Sequence, residues 1–220
     1  MQTFDTPAPI AVVLDVPAGR VQVIAADRAD TVVEVLPANP SRGRDVKAAE
    51  QTSVGYADGV LRIGVPVRNQ SLGPSGSVEV TVRLPAGSRV EGKAAATEFR
   101  GVGRLGDVVF DGAYRQTKID EAESVRLTAT DGDIEVGRLN GPAEIGTRRG
   151  DIRIAEAVRG TVTLRTDQGD ISVAAARGVS ASLDAGTGHG RVGNDLRNDG
   201  AATLDIHATT TYGDVTARSL

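Results

Sequence analysis

The segment Val125-Arg126-Leu127-Thr128-Ala129-Thr130-Asp131-Gly132-Asp133-Ile134-Glu135-Val136 sets a pattern that the chain then repeats. The second copy has Ala143, Ile145 and Thr147, then Gly150-Asp151-Ile152 and Ile154. The third has Val162, Leu164 and Thr166, then Gly169-Asp170-Ile171 and Val173. A looser fourth runs Ala181, Leu183, Ala185 and, after a longer turn, Gly190-Arg191-Val192. A fifth runs Ala202, Leu204, Ile206 and, after a still longer turn, Gly213-Asp214-Val215 and Ala217. The glycine recurs after 18, 19, 21 and 23 residues. Self-similarity at such a period is the mark of stacked repeats.

Within one repeat, Val-x-Leu-x-Thr alternates with period two and points one face inward. Gly-Asp breaks the strand, since Gly accepts positive φ and Asp bonds nearby backbone. Ile-x-Val then resumes the alternation. Glycine links close the repeats at Asn140-Gly141, Arg159-Gly160 and Arg177-Gly178. A unit this small cannot bury its own apolar face, so stacked units must do it together. The expected fold is all-β, a single-stranded β-solenoid with coils about 4.8 Å apart. One inward column is expected to hold Leu127, Ile145, Leu164, Leu183 and Leu204. A second is expected to hold Ile134, Ile152, Ile171, Val192 and Val215. Outward, Glu135 is expected beside Arg153 and Arg126 beside Glu144.

Going backwards, Thr117 and Phe99 keep the register although the Gly-Asp pair is lost. Residues 1–87 are β-rich without the period: 10–16, 21–25, 31–36, 60–67 and 77–84 read as strands. They are expected to form a cap or irregular coils that grade into a solenoid over 88–217, the two making one continuous domain. Val21-Gln22-Val23 after Gly19 looks like a degenerate repeat, and Pro17-Ala18-Gly19 and Pro85-Ala86-Gly87 read as matching turns. Residues 44–51 form the one helical candidate, and 69–77 a surface loop. Asn69-Gln70-Ser71 fits a glycosylation sequon by chance.

Composition narrows the function. The 220 residues are enough for one large domain or two small ones. Val, Ile and Thr together number 57, while Trp is absent and aromatics are 3%, so the core is aliphatic. The absence of cysteine excludes disulfides, zinc–thiolate sites and thiol nucleophiles. A net charge of −4 argues against a general grip on nucleic acid. No apolar run approaches the roughly 20 residues that span a bilayer. Met1 to Asp5 carries no basic or apolar leader pattern, from which a cytoplasmic location is expected.

The Gly-Asp-[Ile/Val]-x-Val repeats, preceded by Val16-Pro17-Ala18-Gly19-Arg20-Val21, resemble the bacterial putative-adhesin β-strand-repeat family, a domain of unknown function. The resemblance spans about Val12 to Val215. It implies a right-handed β-helix, an adhesin-like role and frequent envelope association. It supplies no catalytic residues.

Each chemical candidate has a plainer reading. Asp133, Asp151 and Asp170 should stack, and close carboxylates could bind a cation or share a proton. The plainer and favoured reading is turn chemistry that faces water, with Arg191 expected between Asp170 and Asp214 to relieve the repulsion. Gly186-Thr187-Gly188-His189-Gly190 lacks the Lys-Ser/Thr of a phosphate loop and reads as a lengthened turn. His189 and His207 lack metal-ligand spacing. No catalytic, cofactor or metal residue is assigned, and no enzyme is expected. The leading expectation is a scaffold for protein contact or self-association, through flat faces or the C-terminal coil, with a homodimer as one form. The alternative is a carbohydrate-binding or carbohydrate-active β-helix that uses the Asp column.

Overall fold

The computed structural model describes residues 1–65 and 76–220. The expected loop at 69–77, except for Gly76 and Ser77, lies outside the described residues, as do the Asn69 sequon and the end of the strand expected to reach Val67. The chain divides into two compact units, Met1–Arg115 and Gln116–Leu220.

The first unit contains β1 (Gln2–Asp5), β2 (Ala11–Asp15), β3 (Ala18–Ala26), β4 (Asp30–Pro37), α1 (Gly43–Gln51), β5 (Ser53–Ala57), β6 (Val60–Gly64), β7 (Val78–Pro85), β8 (Arg89–Ala94) and β9 (Ala96–Tyr114). Parallel pairing stacks it into levels. Strand β2 lies between β6 and β8, and β3 lies between β7 and β9. The level formed by β2 and β3 comes first in the chain but second in the stack. Antiparallel strands flank the β6–β7 level: β5 pairs with β6, β4 with β7 and β1 with β4. Strand β5 follows from a two-residue hairpin at Asp58 (φ 52°) and Gly59 (φ 76°), the Asp-Gly signature of a type I′ turn. The unit's inner columns are apolar, Leu61–Val12–Val90 on one face and Val80–Val21–Phe99 on the other, all buried.

The second unit contains β10 (Thr117–Asp131), β11 (Ile134–Leu139), β12 (Ala143–Arg149), β13 (Ile152–Ala157), β14 (Gly160–Gln168), β15 (Ile171–Ala175), β16 (Ala181–His189), β17 (Val192–Asp195), β18 (Leu204–Tyr212) and β19 (Val215–Ser219). Its described strands pair parallel, in two columns. One is ordered β10, β12, β14, β18, β16, and the other β10, β11, β13, β15, β19, β17. The fifth repeat therefore sits between the third and the fourth, and the fourth is the outermost level.

This order corrects the expected columns. Leu127, Ile145 and Leu164 are in register, but Ala208 and then Ala185 follow them. Leu204 is buried opposite Gly160 and Ala181, four residues out of the expected register. Leu183 is half-buried and Val192 is 46% exposed, because their level has a neighbour on one side only. Ile134, Ile152, Ile171 and Val215 hold their column as expected. The paired turns at Pro17 and Pro85 also differ. Gly19 has φ 132° at the corner between β2 and β3, while Gly87 has φ 81° at the link from β7 to β8.

Leu164 is 1% exposed, and Leu164→Ala is expected to cost about 2–5 kcal/mol in chemical denaturation, the range for a buried leucine that leaves a cavity. Ala at Leu183, on the outermost level, is expected to cost clearly less.

Candidate interaction surface

The corner between the two columns explains the Gly-Asp signature. Gly132, Gly150, Gly169, Gly213 and Gly190 all have φ between 135° and 157°. A Cβ on Gly169 would lie 2.1 Å from the Gly150 carbonyl oxygen, and one on Gly213 would lie 2.1 Å from that of Gly169. The backbone of one level occupies the side-chain space of the next, so only glycine fits.

The aspartates build a ladder on this corner. Asp133 Oδ1 accepts the Asp151 N–H at 2.9 Å, Asp151 Oδ1 accepts the Asp170 N–H at 2.8 Å, and Asp170 Oδ1 accepts the Asp214 N–H at 2.7 Å. Asp214 Oδ1 in turn accepts the Arg191 N–H at 2.8 Å. Arg191 thus ends the column rather than interrupting it between Asp170 and Asp214. Threonine hydroxyls brace the same corner: Thr166, Thr210 and Thr187 donate to the carbonyls of Gly150, Gly169 and Gly213 at 3.1, 3.0 and 2.8 Å. One oxygen of each bonded aspartate is committed to a backbone amide one level on, which accounts for the stacked acids by structure.

The other candidates are dispersed. Gly186 to His189 belong to β16 and are not a turn, and Ala208 to Tyr212 belong to β18. His189 stacks on Tyr212, centroids 4.7 Å apart and 12° between planes. His207 Nδ1 lies 3.4 Å from Asp184 Oδ2. Both histidines lie along the β16–β18 seam, each against its own cross-strand partner. Among the described residues no group of three or more His, Cys, Asp and Glu is gathered as a metal site. Arg126 pairs with Glu144 at 3.3 Å as expected, while Glu135, in register with Arg153, bonds Lys118 at 2.9 Å.

A polar cleft of about 260 Å³ in the first unit had no sequence signal. It is lined by Arg20, Arg42 and Arg115 together with Asp45, Glu79 and Glu98. Arg20 stands in register between Glu79 and Glu98, and the buried Asp45 accepts the Ser77 N–H at 3.0 Å. Arg20 Nε lies 3.4 Å from Glu98 Oε2 within it.

The level of β16 and β17 is the most open surface of the second unit. Among the described residues β16 pairs with β18 and β17 with β19, each on one side. Residues 191–195 are all exposed. Among the described residues the chain's own loop closes only the first position, where the Ala181 N–H donates to the Arg197 carbonyl at 3.0 Å. That loop is held by the Arg197 N–H on Ser219 Oγ and the Asp199 N–H on Ser180 Oγ. The Ser180 side chain, then the Ala201 N–H, hold the Asp199 carboxyl below its ordinary range. That preference for the ionised form is present above the ordinary carboxylate range and is lost as pH falls through the lowered value.

Asp151→Asn keeps an Oδ1 acceptor and is expected to leave the melting temperature nearly unchanged, with or without calcium. Asp151→Ala removes the acceptor for the Asp170 N–H and is expected to cost about 1 kcal/mol. A calcium-dependent rise in the wild type that Asp151→Asn abolishes would show instead that the column binds cations.

Among the described residues no helix is long and apolar enough to cross a membrane. No curated protein matches the chain. Its fold is similar to a "putative cell adhesion protein" from Clostridium sporogenes, at 12% identity over 100% of this chain and 98% of that one, with a TM-score of 0.45. It is also similar to a "putative adhesin" from Bacteroides fragilis, at 14% identity over 98% and 95%, with a TM-score of 0.43. A "putative lipid binding protein" from Parabacteroides distasonis matches at 11% identity over 97% and 95%, with a TM-score of 0.44. The Toastrack DUF4097 family model matches residues 12–219, and the chain belongs to that family.

Proposed function

We propose that the chain is a non-catalytic β-solenoid module that works by protein contact, and that it associates with itself through the open edge of β16 and β17. The antiparallel strands β1, β4 and β5 act as a cap on the stack of the first unit. One observation carries the reading: among the described residues the outermost level of the second unit presents two strands whose outer edges, Ala181 apart, have no strand of their own chain across them. Such an edge is a template for pairing. The apolar side chains beneath it, Leu183 and Val192, are left partly in water, so covering the level also removes apolar surface from solvent.

Hydrogen exchange on the full chain tests this. Amides of 182–189 and 192–195 are expected to exchange more slowly as concentration rises, while those of 205–212, already enclosed, stay protected throughout. Val192→Lys, an inward charge at the edge, is expected to abolish the concentration dependence with little loss of stability. Exchange at 182–195 that is indifferent to concentration would refute association through this edge.

A further inference from the structure

We infer that β17 pairs antiparallel with β17 of a second copy about a two-fold axis at Gly193, forming a closed dimer rather than a growing fibre. The inference rests on the edge-pairing reading and adds its direction, register and partner.

Direction follows from the ladder. Every interior level offers an aspartate Oδ1 to the amide of the level beyond. A further level added in the same direction would need that acceptor at position 191. Arg191 has donors only, so the corner that joins the repeats stops there.

Register follows from backbone alternation. The Arg191 carbonyl accepts the Val215 N–H and so faces β19. Val192 and Asn194, the alternate residues of this short strand, turn their amides and carbonyls to the open side. Antiparallel pairing about Gly193 sets Val192 opposite Asn194 of the second copy, and the two exchange both backbone bonds on each side of the axis. Gly193 meets itself at the axis, a position where side chains come closest. A Cβ there would find nothing within 4 Å in its own chain, so the glycine is not required by the monomer's packing.

Charge supports the same register. Residues 191–195 read Arg-Val-Gly-Asn-Asp, all exposed. The two-fold places Arg191 opposite Asp195 of the second copy, twice. Within each copy Arg191 stands beside Asp214 through the ladder, and Asp195 stands in register with Arg218. Charges then alternate in sign across the junction, whereas a pairing shifted by one residue loses this match.

The test is sedimentation velocity on the full chain over a concentration series, with exchange at 192–195 read in parallel. The wild type is expected to show monomer and dimer without higher species. Arg191→Glu and Asp195→Arg are each expected to weaken the dimer by roughly tenfold or more, since like charges then face each other at two places, and the double variant to restore it. Val192→Pro leaves the charges untouched, removes an amide that only the dimer uses, and is expected to abolish the dimer while nearly keeping the wild-type melting temperature. Species larger than the dimer, or single reversals without effect while 192–195 still gain protection, would overturn the two-fold register and leave edge pairing standing. Absence of any protection at 192–195 would remove both.

Discussion

The second unit depends on one close approach, that of a glycine carbonyl on one level to the α-carbon of the glycine on the next. It leaves about 2 Å between that oxygen and the place of a Cβ, as at Gly169 and Gly213. It fixes how far one level can slide over another, and the two strand columns inherit their registers from it. The aspartate and threonine bonds hold the same corner from either side. In the first unit Gly19 marks a comparable corner, with its Cβ position 1.8 Å from the Val78 carbonyl oxygen.

This constraint decides what the acidic column means. Its residues recur because a carboxylate oxygen is a good acceptor for a backbone amide that would otherwise face the corner unpaired. A glycosidase pair needs two carboxylates that differ in environment and leave room for a substrate between them. Here successive aspartates play identical parts, each bonded to the next level's main chain. Repetition of chemistry along the stack is the signature of assembly.

Much of this was legible in the chain. Gly-Asp-Ile at 132–134, 150–152 and 169–171 gave the strands and the register from β10 to β15, and Leu164 and Ile152 lie in the core as the alternation required. Strands 10–16, 21–25 and 31–36 and the helix near 44–51 also match. The order of the last two repeats was not legible from similarity, because either could follow the third with the same alternation. The polar run Arg191-Val192-Gly193-Asn194-Asp195, in place of Asp-Ile-x-Val, was the clue that this repeat has no neighbour beyond it. Aligning the fifth repeat on Leu204 rather than Ala208 misplaced its register against Leu164. Strand β5 was missed although Asp58-Gly59 announced its hairpin. Strand β1 carries only four residues, and its pairing with β4 depends on distant parts of the chain.

The inserted fifth repeat has a consequence for how such a protein can be built. Strands β18 and β19 belong between two levels, one of which, β16–β17, directly precedes them in the chain. The stack cannot be completed by adding levels in order of synthesis. Nor does β19 offer an open edge to a further repeat, since β18 and β19 are enclosed between β14–β15 and β16–β17. Duplications are tolerated only upstream, among the levels from β10 to β15, where each copy meets neighbours of its own kind. The second unit thus has a fixed outer level and repeats of one kind beneath it.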